Sequence, residues 1–184
     1  MQMKLLLFPL AISSLAISCT PTKVDYFGET LQEFPKPTWR DAKEINRENT
    51  GLAGTVTYQI YDHKATASLS WRKYDAVKDA SIKEWVGDMG TPPPAYVLDK
   101  LTLSVDGASI PVSKSKYQFI CSQWKPDGAG NTHFIQRDGL GCLLVTVGDG
   151  GEAYSVVYVF DPVKKTLVYH SVEDGPSVDN QIIY

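Results

Sequence analysis

Residues 52–60 and 65–72 alternate apolar and polar side chains with a period of two, which is typical of half-buried β-strands. The two runs flank a short polar joint at Asp62 and His63, so together they predict a β-hairpin. Similar runs recur along the chain and give about nine short strands spaced by about ten residues. This pattern predicts a mainly β fold, an antiparallel β-sandwich or barrel with one or two short helices, and not alternating β and α units.

Turn residues separate the predicted strands downstream of this hairpin. Asp106-Gly107 and Asp138-Gly139 are strong signals for tight turns between antiparallel strands. Residues 140–147 are apolar at nearly every position, which predicts a central strand, and residues 153–160 form another apolar strand. Further strands are predicted at residues 97–105, 110–112, 116–124, 132–137 and 166–172, with a possible edge strand at 182–184.

Two segments carry a helical pattern instead. The first begins at Thr38, a residue type that caps helix N-termini, and an apolar stripe with a spacing of three follows it to about residue 49. The second covers residues 75–87, where Ser81 and Glu84 have the spacing of a capping box. Each segment predicts one short helix.

The N-terminus differs from the rest of the chain. Lys4 is followed by an uncharged, mostly apolar run over residues 5–17. A membrane-spanning helix needs about 20 such residues, whereas the core of a signal peptide needs only about 7–15. The sequence therefore predicts a signal peptide over residues 1–18.

The residues that follow this run carry a known motif. Leu15-Ala16-Ile17-Ser18-Cys19 resembles a bacterial lipobox, in which a small residue directly precedes a cysteine, although Ala16 replaces the usual leucine. The resemblance covers only the targeting segment. It implies cleavage before Cys19, a diacylglyceryl thioether on its sulfur with fatty chains such as palmitate, and anchoring to a membrane of the bacterial cell envelope, on its periplasmic face or at the cell surface.

The segment after Cys19 is predicted to be a tether. Residues 19–37 contain three prolines, which interrupt regular structure, and several polar residues near the lipidated end. The five apolar residues in this stretch, from Val24 to Phe34, are expected to dock in part on the domain. Residues 38–184 are then long enough for a single mainly β globular domain.

Two cysteines remain once Cys19 carries lipid, namely Cys121 and Cys142. An exported domain with an even pair of cysteines most simply forms one disulfide. Two separate buried thiols are the alternative, and a free thiol close to His133 would suggest a nucleophile. If residues 116–124, 132–137 and 140–148 form a simple meander, the two cysteines lie on strands that are not neighbours, so a disulfide needs a different arrangement.

Composition and motifs exclude several classes of function. The formal charge is −3, with 18 Lys and Arg against 21 Asp and Glu, so no nucleic-acid partner is predicted. His63, His133 and His170 have no metal-ligand spacing, and neither a nucleophile motif nor a dinucleotide fingerprint is present. We therefore predict no metal, no cofactor and no assignable catalytic residue.

Aromatic residues are abundant, with four Trp, ten Tyr and six Phe. The tryptophans can fill the core, or they can line a face that binds sugar or peptide. The leading interpretation is an envelope lipoprotein whose β domain is a non-catalytic binding or structural module, with an envelope protein or glycan as possible partner. The alternative is an envelope hydrolase with an active site assembled from loops, since such a site needs no local motif.

Overall fold

The structure is a computed structural model that describes residues 39–87, 92–148 and 153–174, and the backbone at 23–24 and 30–31. The chain divides into two compact units, Met1–Pro35 and Lys36–Tyr184. The predicted signal peptide, Cys19 and the possible strand at 182–184 lie outside the described residues. In the first unit, β1 (Lys23–Val24) pairs antiparallel with β2 (Thr30–Leu31), within the segment predicted to be a tether.

The second unit consists almost entirely of strands. In chain order they are β3 (Arg40–Asp41), β4 (Lys43–Thr50), β5 (Ala53–Ile60), β6 (His63–Lys73), β7 (Tyr96–Val105), β8 (Ala108–Ile110), β9 (Cys121–Ser122), β10 (Thr132–Arg137), β11 (Leu140–Val147), β12 (Tyr154–Asp161) and β13 (Thr166–Asp174). One sheet has five strands in the order β13-β12-β11-β10-β3. The other has six, in the order β4-β5-β6-β7-β8, with β9 also paired to β7. All these strand pairs are antiparallel.

The main core lies where side chains of both sheets meet. Val56 and Leu103 from the six-stranded sheet belong to the same buried cluster as Phe134, Val156 and Phe160 from the five-stranded sheet. Two antiparallel sheets around a shared apolar core are the arrangement of a β-sandwich. The predicted mainly β, antiparallel fold is confirmed.

The five-stranded sheet is also buried on its other face. Leu144, Val157 and Val159 form a second apolar cluster with Cys142, Ile135 and Trp39. Val157 and Val159 have no exposed surface, although they alternate along β12 with residues of the main core. Burial on both faces explains why β11 and β12 are apolar at nearly every position. The central position predicted for β11 is confirmed, and β12, predicted only as an apolar strand, is also central.

The outer face of the six-stranded sheet is polar. Thr55 Oγ1 lies 2.9 Å from Ser68 Oγ, and Thr57 Oγ1 lies 3.2 Å from Thr66 Oγ1, so cross-strand hydroxyl pairs connect β5 and β6. Strand β4 forms one edge of this sheet, and most of its residues are exposed. Strands β5 and β6 pair antiparallel, with Ile60 opposite His63. This pairing confirms the hairpin predicted around Asp62 and His63, and its residues alternate as the sequence shows.

The helix predicted from Thr38 is wrong. Residues 39–50 are extended, since β3 pairs with β10 in one sheet and β4 pairs with β5 in the other. The spacing of three arises because Trp39 packs in the second cluster and Ala42 in the main core as the chain passes between sheets. Ile45 is largely exposed on the edge strand, where no alternation marks a buried face.

The helix predicted over residues 75–87 is also wrong. Two short turns form instead, closed by hydrogen bonds from the Asp79 N–H to the Asp75 carbonyl and from the Ile82 N–H to the Asp79 carbonyl, each at 2.9 Å. In the first turn, Asp75 Oδ1 also accepts hydrogen bonds from the backbone N–H groups of Val77 and Lys78. The turns do not continue into a helix, because the buried carboxylate of Asp79 pairs with Arg72 and the segment near Val86 bridges in parallel to Ile120. The described residues contain one short 3₁₀ helix at Lys114–Lys116, and none of their helices is long and apolar enough to span a membrane.

The strand predicted over residues 116–124 is reduced to β9. The chain forms a turn around Tyr117, and Tyr158 Oη donates a hydrogen bond to the Lys116 carbonyl at 2.8 Å. Only Cys121 and Ser122 pair with β7. The segment after Ser122 then leaves the sheet and forms the loop that leads to β10.

Candidate binding cleft

A cleft of about 250 Å³ lies between this loop, residues 123–131, and the end of β11. Its lining consists of aromatic side chains, polar side chains and the backbone of glycines. The lining includes Trp71, Trp124, Lys125, Asp127, Asn131 and Thr146. An aromatic surface combined with a few polar groups is the usual composition of a small-ligand site.

Trp124 is the most unusual residue in the cleft because 74% of its surface is exposed. Its backbone is held in place, since its N–H donates to Ser122 Oγ at 3.1 Å and the Ser122 hydroxyl donates to its carbonyl at 2.9 Å. The backbone from which the indole side chain extends is therefore held by two hydrogen bonds, while the side chain itself is open to solvent. A large exposed aromatic side chain indicates a binding surface more strongly than an exposed aliphatic one does.

The second tryptophan of the cleft has the opposite role. Trp71 is buried at the end of β6, and its indole Nε1–H donates to the Gly128 carbonyl at 2.8 Å. This bond attaches the loop to the six-stranded sheet from the core side. It also satisfies the only polar group of the indole, as burial of a tryptophan requires.

Arg47 on β4 secures the same loop from the opposite side. Its Nη1 donates to the carbonyls of Ala129 and Gly130 at 2.7 and 2.9 Å, and its Nη2 donates to the Thr132 carbonyl at 2.9 Å. Glu44 orients the guanidinium through two further bonds, at 2.8 Å to Nη2 and 3.2 Å to Nε. The Arg47 side chain thus satisfies three backbone carbonyls that would otherwise need water as a hydrogen-bond donor.

Tyr58 completes this network. Arg47 Nη2 donates to its hydroxyl at 3.0 Å, and the hydroxyl donates in turn to Glu44 Oε2. The hydrogen bond from Arg47 lowers the pKa of the Glu44 carboxyl below its usual value. Burial, with the bond to Glu44, raises the pKa of Tyr58 to about 12. The network is therefore ionised as one Arg–Glu pair bridged by a neutral phenol at all pH values near neutrality.

Asn49 and two glycines close the contact between β4 and the loop. Asn49 Oδ1 accepts from the Ala129 N–H at 2.9 Å, and its Nδ2 lies 3.4 Å from Asp127 Oδ2. A β-carbon at Gly54 would overlap both Asn49 Oδ1 and the Ala129 nitrogen. Gly128 has a positive φ of 52°, and a β-carbon there would overlap the Ala53 carbonyl. Glycine is thus required at both positions for the loop to approach the sheet.

The disulfide predicted between Cys121 and Cys142 is absent, since no pair of cysteines among the described residues lies at bonding distance. Cys121 pairs with Val97 in the six-stranded sheet, whereas Cys142 lies in the five-stranded sheet and faces its outer cluster. The two thiols thus belong to different layers. Burial raises the pKa of Cys142 far above its usual value, which opposes the thiolate form that a nucleophile needs.

The structure places the three histidines away from the cleft lining. His63 Nδ1 lies 2.8 Å from Asp106 Oδ2 at the end of a hairpin. His170 contacts Tyr158 and Phe119 and lies 3.0 Å from the Lys116 carbonyl, while His133 lies on β10. Burial lowers the pKa of both His133 and His170. In the part of the chain that the structure describes, no three His, Cys, Asp or Glu side chains are grouped to hold a metal ion.

The remaining tryptophans also lie elsewhere. Trp39 is buried in the outer cluster, with the Arg137 guanidinium 4.8 Å from its ring centre. Trp85 contacts Tyr74 edge to face, with ring centres 6.0 Å apart. Of the four tryptophans, the structure therefore brings Trp71 and Trp124 together at the cleft and gives the other two separate packing roles.

Sequence reasoning missed the residues that hold the cleft in shape. Arg47 and Asn49 fall in the segment where a helix was predicted, so their alignment along one edge strand could not be seen. The Gly-rich composition of residues 125–131 did predict that this segment is a loop. Comparisons with protein-family models, curated proteins and solved structures found no match to the chain.

Proposed function

We propose that this chain is a bacterial envelope lipoprotein, anchored through lipid on Cys19, and that its β-sandwich binds an envelope partner non-catalytically in the cleft. The lipobox resemblance at residues 15–19 supports the anchoring. The exposed Trp124 over the cleft is the observation that carries the binding function. The signal peptide, 1–18, is removed in this proposal, and the tether holds the domain close to its membrane.

The anchoring of the loop supports a binding role. A loop that already has its bound conformation in the free protein avoids the entropic cost of ordering its side chains and backbone on binding. Here Trp71, Arg47 and Asn49 fix the loop at Gly128, at Ala129 and at the carbonyls beyond it. Among the described residues, the lining provides donors and acceptors but a single carboxylate, Asp127, whereas glycoside hydrolysis uses two. Binding therefore accounts for the arrangement better than the alternative of hydrolysis by a loop-built site.

Lipid labelling tests the anchoring. Cells that express the full chain are grown with an alkyne-tagged palmitate analogue, and membranes are separated from soluble protein. We expect the wild type to be labelled and sedimented with membranes. Cys19→Ser should lose the label and appear in the soluble fraction, because two acyl chains supply the membrane affinity. Label that persists on Cys19→Ser would overturn this part of the proposal.

Photo-crosslinking in living cells tests the cleft. A benzophenone amino acid replaces Lys125 at the cleft in the full lipidated chain, and a matched chain carries it at Thr102 on the outer face of the six-stranded sheet. We expect an adduct, detected as a mass shift on gels, from the first position only. Adding Trp124→Ala should remove it.

Two results would contradict a binding role for the cleft. One is the absence of any adduct at position 125, and the other is an adduct that persists unchanged with Trp124→Ala. Because Trp124 is mostly exposed, its replacement leaves the core intact, and circular dichroism of the variant checks this.

A further inference from the structure

We infer that the cleft ligand is an uncharged glycan chain, with the Trp124 indole as the stacking platform for one sugar ring. This inference rests on the proposed binding function and specifies its ligand class. It depends on four features of the described residues: the exposed ring, the polar groups around it, the balance of charge, and the pairing of the neighbouring strands.

The first feature is the flat apolar face of Trp124. A pyranose ring presents a face of C–H groups and a perimeter of hydroxyls, so it binds an aromatic plane through the face and polar side chains through the perimeter. With 74% of its surface exposed, Trp124 offers such a plane.

The second feature is the set of short polar groups beside the ring. Asp127 and Asn131 line the cleft and carry a carboxylate and an amide. The backbone of Asn131 is held against β11, because its carbonyl accepts a hydrogen bond from the Thr146 N–H at 3.0 Å. A carboxylate accepts hydrogen bonds and an amide both accepts and donates them, so the two groups together suit sugar hydroxyls, which do both.

The third feature is charge. Among the residues that the structure describes, the lining contains one basic residue, Lys125, and one acidic residue, Asp127, and their charges balance. A polyanion such as nucleic acid would need several cations along its path, and the whole chain has a formal charge of −3. Electrostatic complementarity therefore favours a neutral ligand.

The fourth feature disfavours an extended peptide. Peptides commonly bind by adding a strand to an exposed sheet edge, where backbone groups are available. The cleft lies at the end of β11, and both edges of β11 are already paired, with β10 on one side and β12 on the other. The strand beside the cleft therefore offers no backbone ladder, and side chains must supply the contacts.

Calorimetric titration of the full lipoprotein in a detergent without sugar groups tests the inference. The probes are three neutral hexasaccharides, namely maltohexaose, cellohexaose and chitohexaose. We expect at least one to bind saturably, and Trp124→Ala to weaken that binding by about tenfold or more, because the stacking surface is lost. Trp124→Phe should retain binding to within a few fold, and Trp85→Phe, which lies away from the cleft, should leave it unchanged.

Other outcomes overturn the inference. If none of the hexasaccharides binds, or if Trp124→Ala binds as well as the wild type, the cleft is not a neutral-glycan site. A protein adduct from position 125 that depends on Trp124, together with no sugar binding, would overturn the glycan and keep the binding function. If neither the adduct nor sugar binding is observed, both the glycan ligand and the binding function of the cleft are rejected.

Discussion

The two sheets of the sandwich use their outer faces differently. The five-stranded sheet has buried apolar residues on both faces, including Leu144 and Val157 on the outer one. The six-stranded sheet has apolar residues facing the core and hydroxyl pairs such as Thr57 with Thr66 facing outward. One sheet therefore behaves as an internal layer and the other as a surface layer, and the sequence periods of their strands differ accordingly.

The candidate cleft lies where these two kinds of layer meet. Its loop follows β9 at the margin of the six-stranded sheet and leads into β10 of the five-stranded sheet. Side chains of the surface layer, Arg47 and Trp71, anchor the loop. Strands of the surface layer therefore hold the loop in place, while the loop itself carries the exposed Trp124. The following substitutions test the difference between the outer faces of the two sheets.

The largest effect is expected from a charge in the internal layer. Val157→Asp should prevent folding at neutral pH, since an unpaired carboxylate would replace a side chain with no exposed surface. Leu144→Ala, in the same cluster, should still fold and lose about 3 kcal/mol of unfolding free energy. Urea denaturation followed by circular dichroism measures both.

The matched control places the same charge on the surface layer. Thr102→Asp on the exposed face of β7 should lower the unfolding free energy by about 1 kcal/mol or less, because only the β-propensity of the residue changes. Equal losses for Thr102→Asp and Val157→Asp would show that the two outer faces do not differ in the way described.

An intermediate effect is expected where the surface layer carries its own buried charge. Arg72 on β6 pairs with Asp79 at 2.5 Å and with Asp99 at 2.9 Å, and the Asp79 side chain is only 2% exposed. Arg72→Met should cost about 3 kcal/mol at pH 7, because the buried carboxylate of Asp79 would lose its cationic partner and keep only the hydrogen bond from the Asp75 N–H. Asp99→Asn, at the more exposed carboxylate, should cost less than about 1 kcal/mol. Thermal or urea unfolding distinguishes the two variants.

The same pair predicts a pH dependence. The hydrogen bond from Arg72 lowers the pKa of the Asp79 carboxyl below the usual 3.8. A lowered pKa contributes stability above the unfolded-state value, and this contribution is lost as the pH falls through the folded-state value. The difference in unfolding free energy between wild type and Arg72→Met should therefore shrink in acid, below about pH 4. A difference that stays constant from pH 7 to pH 3 would contradict the assignment.

The smallest effect is expected for the hydroxyl pairs. Thr57→Val alone should cost about 1 kcal/mol, because Thr66 loses its hydrogen-bond partner. The double variant Thr57→Val with Thr66→Val should recover to within about 0.5 kcal/mol of the wild type, since both polar groups are replaced by apolar groups of the same shape. A double-mutant cycle in urea measures the coupling between the two residues.

Strands that alternate or are apolar throughout could be predicted from the sequence, because their pattern reports burial directly. Residues 53–60 and 63–73 alternate as a one-sided sheet requires, and 140–147 and 154–161 are apolar as two-sided burial requires. Strand β4 could not be predicted. It is an edge strand with most residues exposed, so its few apolar residues carry no period that reflects a buried face.

The cleft was predictable only in part. The turn-forming glycines of residues 125–131 marked a loop, and the abundance of tryptophan suggested a binding face. Which tryptophan is exposed depends on tertiary packing: Trp71 points into the core from β6, while Trp124 follows a strand of only two residues. The layers that separate Cys121 from Cys142 likewise depend on how the chain passes between sheets, which local sequence does not specify.

The attachment of the loop by Arg47 has an immunological consequence. The guanidinium reaches carbonyls 82, 83 and 85 residues further along the chain, so the shape of the loop depends on a distant strand. A synthetic peptide covering residues 122–132 lacks that strand and cannot hold the same shape. Antibodies raised against the folded domain at this loop would therefore recognise a conformational epitope, and the linear peptide would not compete for them.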